Sequence, residues 1–349
     1  MSAPKPVISN VFESSASDRL ARFITQQGVA SREVTPLTPD ASTRKYYRIG
    51  WKKRTAVAAV YPEPFDPEFH PYLDVTRLFL DCEIPVPEIY AVDGNAGIIV
   101  QEDLGDRQLF HIYEEESEEL CDEYKEKAIA LIAKIQKATE RAYETHSIAS
   151  RLAFDEAKLS WELDFFFEHF FGSLRHENLR HAEVAELKAE LNDIAAELAA
   201  VPRVLCHRDY HASNLMIDSK KQLRVVDHQD ARMGPASYDL VSFLLDRQPC
   251  PPSLAELRGH RLFFLEERRL LGLGTIDPDE FALEFRLMTI QRGLKATGTF
   301  SYQTAVCERG SVYEPFIQPT LQIVLQAAQW LDRFPTLRRM LTERIKLTT

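Results

Sequence analysis

Cysteine is scarce: five residues in 349 (Cys82, Cys121, Cys206, Cys250 and Cys307), scattered and with no C-x-x-C pair. That excludes a disulfide framework and a thiolate zinc site. Long apolar runs are missing too. Nothing approaches the ~20 residues a membrane-spanning helix needs, so no membrane partner is expected. The opening MSAPKPVISNVFESS lacks a basic start followed by an apolar stretch, so it does not read as a secretory signal. Positive charge is in deficit. Lys and Arg number 42 against 53 Asp and Glu, a formal net charge of −11. Such a surface repels polyanions and argues against nucleic acid as a partner. These absences leave a cytoplasmic globular protein, long enough for one large domain or two ordinary ones.

What is present is a change of pattern along the chain. SASDRLARFITQQG (15–28) reads as a helix, with Ser15 or Ser17 as cap and Gly28 as stop. Short strand-like pieces follow at 33–37, 46–50 and 55–61, then a helix over 70–81 and strands near 89–92 and 97–101. From residue 116 the period becomes helical. Val184, Leu187, Leu191, Ile194 and Leu198 recur at spacings of three and four. Val204-Leu205-Cys206 is a short apolar strand. Residues 214–217 and 223–226 are two strands joined by DSKKQ, a hairpin. Helices are expected over 238–245 and 281–294. The fold class is therefore α+β: a small N-terminal sheet lobe (1–103) and a larger, mostly helical C-terminal lobe (104–349). No Gly/Ser-rich linker separates them, so the lobes are expected to pack around a cleft.

HRDYHASN (207–214) concentrates the chemistry. One reading is a metallohydrolase, with His207, Asp209 and His211 at alternate positions around zinc or a two-metal site. The other is phosphoryl transfer, because the stretch fits H-R-D-x-x-x-x-N, the catalytic-loop pattern of kinases. In that reading Asp209 accepts the proton of the attacking hydroxyl. Mg²⁺ prefers oxygen, so Asn214 suits it better than imidazole. Asp227, in VVDHQD, closes the hairpin that Asn214 opens, and the two are expected to share the metal. The kinase reading uses the asparagine and the hairpin; the hydrolase reading uses neither.

Four stretches extend this likeness: PDASTRKYYRI (39–49), IIVQEDLGDR (98–107), LCHRDYHASNLMI with VVDHQDARMGPASYDL (205–217 and 225–240), and IQRGLKATGTF (290–300). Together they resemble the aminoglycoside phosphotransferase-type small-molecule kinases, and within them the anomeric kinases of N-acetylmuramate and N-acetylglucosamine. The resemblance spans most of the chain. It implies a bilobal, protein-kinase-like fold and ATP as phosphoryl donor. It also implies an amino-sugar acceptor phosphorylated at C1, with a sugar 1-phosphate as product for nucleotide-sugar synthesis or cell-wall recycling. A monomer or weak homodimer is expected.

The resemblance also carries roles. His207 packs beneath the catalytic loop, and Asp239, otherwise read as a helix cap, braces that loop from below. DASTRK contains no glycine and alone reads as a hairpin turn. By resemblance its Ser42, Thr43 and Arg44 approach the phosphates. Ile98 to Leu104 resembles the hinge, whose backbone near Glu102 and Leu104 meets the adenine edge. The acceptor end is less legible; His211, Glu162 and Arg292 are its candidates. One departure matters. The third strand, AVAAVYP, has no lysine where V-A-I-K would supply one. That gap puts Arg44 or another cation in the role, and it keeps a non-catalytic pseudokinase open beside an antibiotic kinase.

Overall fold

The computed structural model describes residues 15–29, 34–37, 44–247 and 252–345. In chain order the first elements are α1 (Ala16–Gln26), β1 (Val34–Leu37), β2 (Lys45–Trp51), β3 (Arg54–Val60), α2 (Pro71–Asp81), β4 (Ile89–Asp93) and β5 (Ile98–Glu102). Then come α3 (Leu109–Glu115), α4 (Glu118–Lys137), α5 (Thr139–Glu144), α6 (Ile148–Arg151), α7 (Glu156–Phe166), α8 (His181–Ala200) and β6 (Arg203–Cys206). Three short strands follow, β7 (Leu215–Ile217), β8 (Leu223–Val225) and β9 (Arg232–Pro235). The rest is α9 (Tyr238–Leu245), α10 (Leu254–Leu270), α11 (Pro278–Ala305), α12 (Gly310–Tyr313), α13 (Ile317–Leu331) and α14 (Pro335–Thr342).

The chain forms two compact units. One holds the residues up to Gln108 together with Leu215–Gln229; the other holds Leu109–Asn214 and the residues from Asp230 onward. This grouping differs from a single break at 103/104 by ending the first stretch at Gln108 and by placing the β7–β8 hairpin in the first unit.

The first unit is built on an antiparallel sheet in the order β1-β2-β3-β5-β4. Period-two alternation gives each strand two faces. Ala56, Ala58 and Val60 of β3 and Ile98 and Val100 of β5 share one face, with Ile49 and Trp51 of β2. Leu20, Phe23 and Ile24 of α1 cover it. Ser15 starts that helix with a capping box: its Oγ accepts the Asp18 N–H, and the Asp18 carboxylate accepts the Ser15 N–H. Ile99 points the other way, against Tyr72 and Leu73 of α2. The hairpin is anchored here by its backbone. Val225 N–H donates to the Pro85 carbonyl and Ile217 N–H to that of Arg107, both at 2.8 Å.

The second unit is organised by α11, 28 residues long. Helix α7 reaches it closely at Gly298, where a Cβ would lie 2.7 Å from the Phe166 Cα. After α7 the chain continues as a π-helical stretch, Phe167–Leu174, a rare form that functional sites favour. Of the rings in 161–171, Phe166, Phe170 and Phe171 are buried, Phe165 and Phe167 are half-buried, and Trp161 stays exposed. Strand β6 pairs antiparallel with β9, Leu205 opposite Met233. Every residue of α9 is buried. Among the described residues no helix is long and apolar enough to cross a membrane.

Candidate active site

In the second unit, β6 ends at Cys206 and delivers the loop His207–His211, closed by a 3₁₀ turn at Ala212–Asn214. The loop is held from α9. The fully buried Asp239 carboxylate accepts the His207 N–H at 2.6 Å and the Arg208 N–H at 3.0 Å. Burial pushes the Asp239 carboxyl up, although His207 and the two N–H groups oppose it. His207 is also fully buried and meets the Tyr210 ring edge-on at 5.6 Å. The Tyr210 hydroxyl donates to the Ala128 carbonyl. Arg208 has φ +88°, a conformation a long side chain enters only when its surroundings impose it.

Asp209 follows at the open end of that loop, its side chain 28% exposed. Arg208 Nε lies 3.7 Å from one carboxylate oxygen and Lys295 Nζ 3.8 Å from the other. Burial alone would raise its pKa. Lys295, Arg208, Arg292 and His211 outweigh that and hold the carboxyl well below the usual range. Lys295 had gone unnoticed as a site residue. It lies within IQRGLKATGTF, and nothing in that stretch says that its ammonium meets Asp209.

The Asn214 side chain is oriented. Its Nδ2 donates to the Asp209 carbonyl at 2.8 Å and approaches His211 Nε2 at 3.3 Å. Burial is the main cause lowering the His211 pKa. A neutral ring with Nε2 as acceptor is therefore assigned. With the amide nitrogen engaged by protein, Oδ1 is the end of Asn214 left to meet a cation.

Two acceptor candidates face inward instead. Arg292 is 4% exposed. Its Nη1 donates to the Arg208 carbonyl and the Tyr238 hydroxyl, and its Nη2 to Ser242 Oγ and Asp246. All the reach of that guanidinium goes to the His207–His211 loop, to α9 and to Asp246 at its end. Glu162, 2% exposed, accepts from Gln291 Nε2 at 2.8 Å and lies 3.8 Å from Lys158 Nζ. Both of these expected acceptor contacts are shut away from solvent and bonded to protein.

In the first unit, Asp227 follows β8 by two residues. It has φ +62° and a 43% exposed carboxylate. Oδ1 accepts from Gln229 Nε2 at 2.9 Å and lies 3.5 Å from Arg44 Nη2. Arg44 also lies 5.7 Å from the Tyr46 and Tyr61 ring centres. Burial lowers its pKa, but Tyr46, Tyr61 and Asp227 together raise it. A permanent cation therefore stands beside Asp227, in a unit whose β3 offers no lysine. Buried His228 fixes the next position: its Nε2 and Thr76 Oγ1 are 2.7 Å apart, and its ring stacks on Tyr72. Ser42 and Thr43 lie outside the described residues.

The hinge stretch is tied into this unit by two arginines. Arg48 of β2 binds Asp103 through Nε and Nη2, and Asp106 through Nη1 and Nη2. Arg224 of β8 forms a two-pronged bond with the Glu102 carboxylate. The Glu102 N–H donates to the Glu88 carbonyl, so it is not a free donor for a base edge. Leu104, buried, makes no backbone hydrogen bond among the described residues.

Among the described residues no three His, Cys, Asp or Glu side chains converge as a metal-binding group. The H-x-D-x-H hydrolase reading needs such convergence. Mg²⁺ in a kinase does not. It takes one or two protein oxygens and fills its shell with water and phosphate, and Asn214 Oδ1 and the exposed Asp227 carboxylate are donors of that kind.

Comparison with known proteins decides the family. The model of the phosphotransferase enzyme family matches residues 33–273. The chain belongs to this family. It is a phosphotransferase. It is also similar to the N-acetylmuramate/N-acetylglucosamine kinase of Neisseria meningitidis serogroup B, 28% identical over 77% of this chain and 78% of that protein. The enzyme of the same name from Pseudomonas aeruginosa is 29% identical over 80% and 79%. Among solved structures, choline kinase LicA from Streptococcus pneumoniae aligns with TM-score 0.55 and 13% identity over 92% of this chain and all of that one. The phosphotransferase fold is thus protein-kinase-like and α+β, a small antiparallel sheet region with a mostly helical remainder.

Proposed function

We propose that this phosphotransferase is an ATP- and Mg²⁺-dependent sugar kinase. Its acceptor is the anomeric hydroxyl of an N-acetylated amino sugar, N-acetylglucosamine or N-acetylmuramate, and its product a sugar 1-phosphate. One observation carries the reaction type: an ionised, partly open Asp209 on a loop whose backbone Asp239 pins. The names of the relatives support the acceptor. LicA, a protein of similar fold, was solved in complex with AMP, which supports an adenine nucleotide as donor here.

The assigned roles follow the chemistry of each group. Asp209 orients the acceptor hydroxyl and takes its proton. A carboxylate with so depressed a pKa is a weak base, so the proton moves late, after the bond to the leaving oxygen has loosened. Lys295 and Arg208 keep it ionised. Asn214 and Asp227 hold Mg²⁺, which supplies charge neutralisation on the phosphate oxygens when bound. Arg44 stands in for the missing lysine, with Ser42 and Thr43 completing the phosphate contacts. Residues 1–103 serve the nucleotide, with the Glu102 carbonyl as one contact and the backbone of Leu104, the first residue past that boundary, as the next; the rest of 104–349 serves catalysis. Arg292 and Glu162 position the loop and Lys158 rather than touch the sugar, and His211 orients Asn214.

The antibiotic-kinase alternative fares worse on electrostatics. Lys158 feels the positive charge of Arg208, Arg232 and Lys295, with Glu162 opposing them, and Arg208 and Lys295 also stand 3.7 and 3.8 Å from the Asp209 carboxylate. Those four cations repel a polycationic acceptor and suit a neutral or carboxylate-bearing one. The test is a panel of N-acetylglucosamine, N-acetylmuramate, glucose and kanamycin with Mg-ATP, read by ³¹P NMR. A sugar 1-phosphate is expected. Phosphate on another hydroxyl overturns the C1 assignment, phosphokanamycin overturns the acceptor class, and no product from any acceptor leaves the pseudokinase.

A further inference from the structure

Away from the catalytic loop, the second unit holds a groove of about 650 Å³ between α10, the first half of α11 and the end of α13. That volume lies in the range of small-molecule sites. Its floor is apolar: Leu262, Leu283, Phe285, Ile323, Ala327 and Trp330. Several of these are uncovered, Leu283 at 52% and Trp330 at 55% exposure, an apolar patch that soluble chains ordinarily avoid. Arg258, Arg261 and Arg286 stand in the same lining. The Arg286 guanidinium lies 3.6 Å from the Trp330 ring centre and that of Arg261 5.2 Å from Phe285.

The charges are unbalanced. Burial lowers the Arg261 pKa, and Arg286 and Arg258 lower it further, with no carboxylate opposing them. Burial lowers that of Arg286 as well, countered by Asp279. Three guanidiniums thus face one carboxylate in a chain whose net charge is −11. Like charges gathered in a half-buried groove cost free energy that an anion would relieve.

We propose that this groove is a second ligand site, for an anionic amphiphile: a soluble acyl carboxylate. Its chain lies along the leucine, isoleucine and tryptophan floor and its head meets Arg261 and Arg286. The site is concave rather than flat, which favours a single molecule over a membrane face. At its inner end it shares Leu245, Thr289 and Ile323 with a small cavity beside Arg292 and Asp246. The inference stands whichever acceptor the kinase uses.

The test is calorimetric titration of the full chain with decanoate and, separately, decyltrimethylammonium, both below micelle formation. One decanoate per chain is expected, and no binding of the cation. Arg261→Glu should weaken decanoate roughly tenfold without changing the circular-dichroism melt. If Arg261→Glu does not fold, Arg286→Gln, at the other guanidinium that meets the head, carries the same expectation. Equal binding of the two amphiphiles overturns the proposal, as does decanoate affinity unchanged in the folded variants. Flotation with phosphatidylglycerol vesicles that decanoate cannot compete away would assign the groove to a membrane instead. A dimer in sedimentation equilibrium, lost in Trp330→Ala and accompanied by no decanoate binding, would assign it to a second copy.

Discussion

Asp209 shows how a single carboxylate is tuned by what surrounds it. Lys295 and Arg208 sit at 3.8 and 3.7 Å from its two oxygens, and they outweigh the burial that would neutralise it. Removing the carboxylate should lower kcat roughly 10²- to 10⁴-fold in Asp209→Ala, measured by a coupled ADP-release assay, while the KM for ATP changes little. A kcat near wild type would end its assignment. The pH dependence has a definite sign. The folded carboxyl titrates below its unfolded value of about 4, so its contribution to stability is complete above that value. That contribution is lost as pH falls through the lower, folded value. Lys295 is the largest cause of the depression. In Lys295→Ala the acid limb of kcat/KM should therefore move to higher pH than in wild type. An acid limb that stays in place would mean that another group governs it. That Asp209 and Asn214 share one loop was legible, because both stand within the eight letters of HRDYHASN. Lys295 was not: its partner lies 86 positions away and only the fold brings them together.

At the level of elements, much of the architecture follows from alternation and caps. Helix α2 and α9 fall where the sequence reading puts them, because Pro71 opens the one and Asp239 lies in the first turn of the other. The hairpin is found with Leu215 opposite Val225. Strand β9 went unread: RMGP has no alternating pattern, and its pairing with β6 is imposed by distant packing. Helix α11 runs on to Ala305, well past the expected Leu294. Its polar and small residues, Gln291, Arg292, Thr297 and Ser301, are all buried, so no apolar stripe marks its far half. The glycines of IQRGLKATGTF likewise have packing reasons. A Cβ at Gly298 would meet the backbone of Phe166, which cannot yield as a side-chain tip would. Gly298→Ala should therefore cost about 1–3 kcal/mol and lower the thermal midpoint by several degrees in a calorimetric melt. An unchanged midpoint would show that α7 and α11 can part at no cost. The two arginine clamps on the hinge were equally hidden. Arg48 and Asp103 stood in two separate motif stretches, and nothing in the letters says that they bind each other.

For the molecule as a whole, catalysis and ligand binding are separable, and that separation tests the metal assignment without reference to turnover. A ligand that binds only the folded chain stabilises it by about 2.7 kcal/mol at a hundredfold excess over Kd, which a melt resolves as a shift of a few degrees. ADP alone should give a first increment, since the hinge backbone and Arg44 are proposed to meet the nucleotide directly. Adding Mg²⁺ should give a second, because the ion, with Asn214 and Asp227 as its proposed protein ligands, would neutralise charge on the phosphate oxygens. Asp227→Ala and Asn214→Ala should each keep the ADP increment and lose most of the Mg²⁺ increment. His211→Ala should reduce it only in part, since it removes one of the two groups that orient the Asn214 amide. A Mg²⁺ increment that survives in both Asp227→Ala and Asn214→Ala would place the ion on other ligands. An increment produced by Zn²⁺ without nucleotide, and abolished in His207→Ala, would restore the hydrolase reading. The net charge of −11 adds nonspecific cation binding at low salt, so the comparison belongs at physiological ionic strength, where the Debye length of about 8 Å leaves only the coordinated ion to be read.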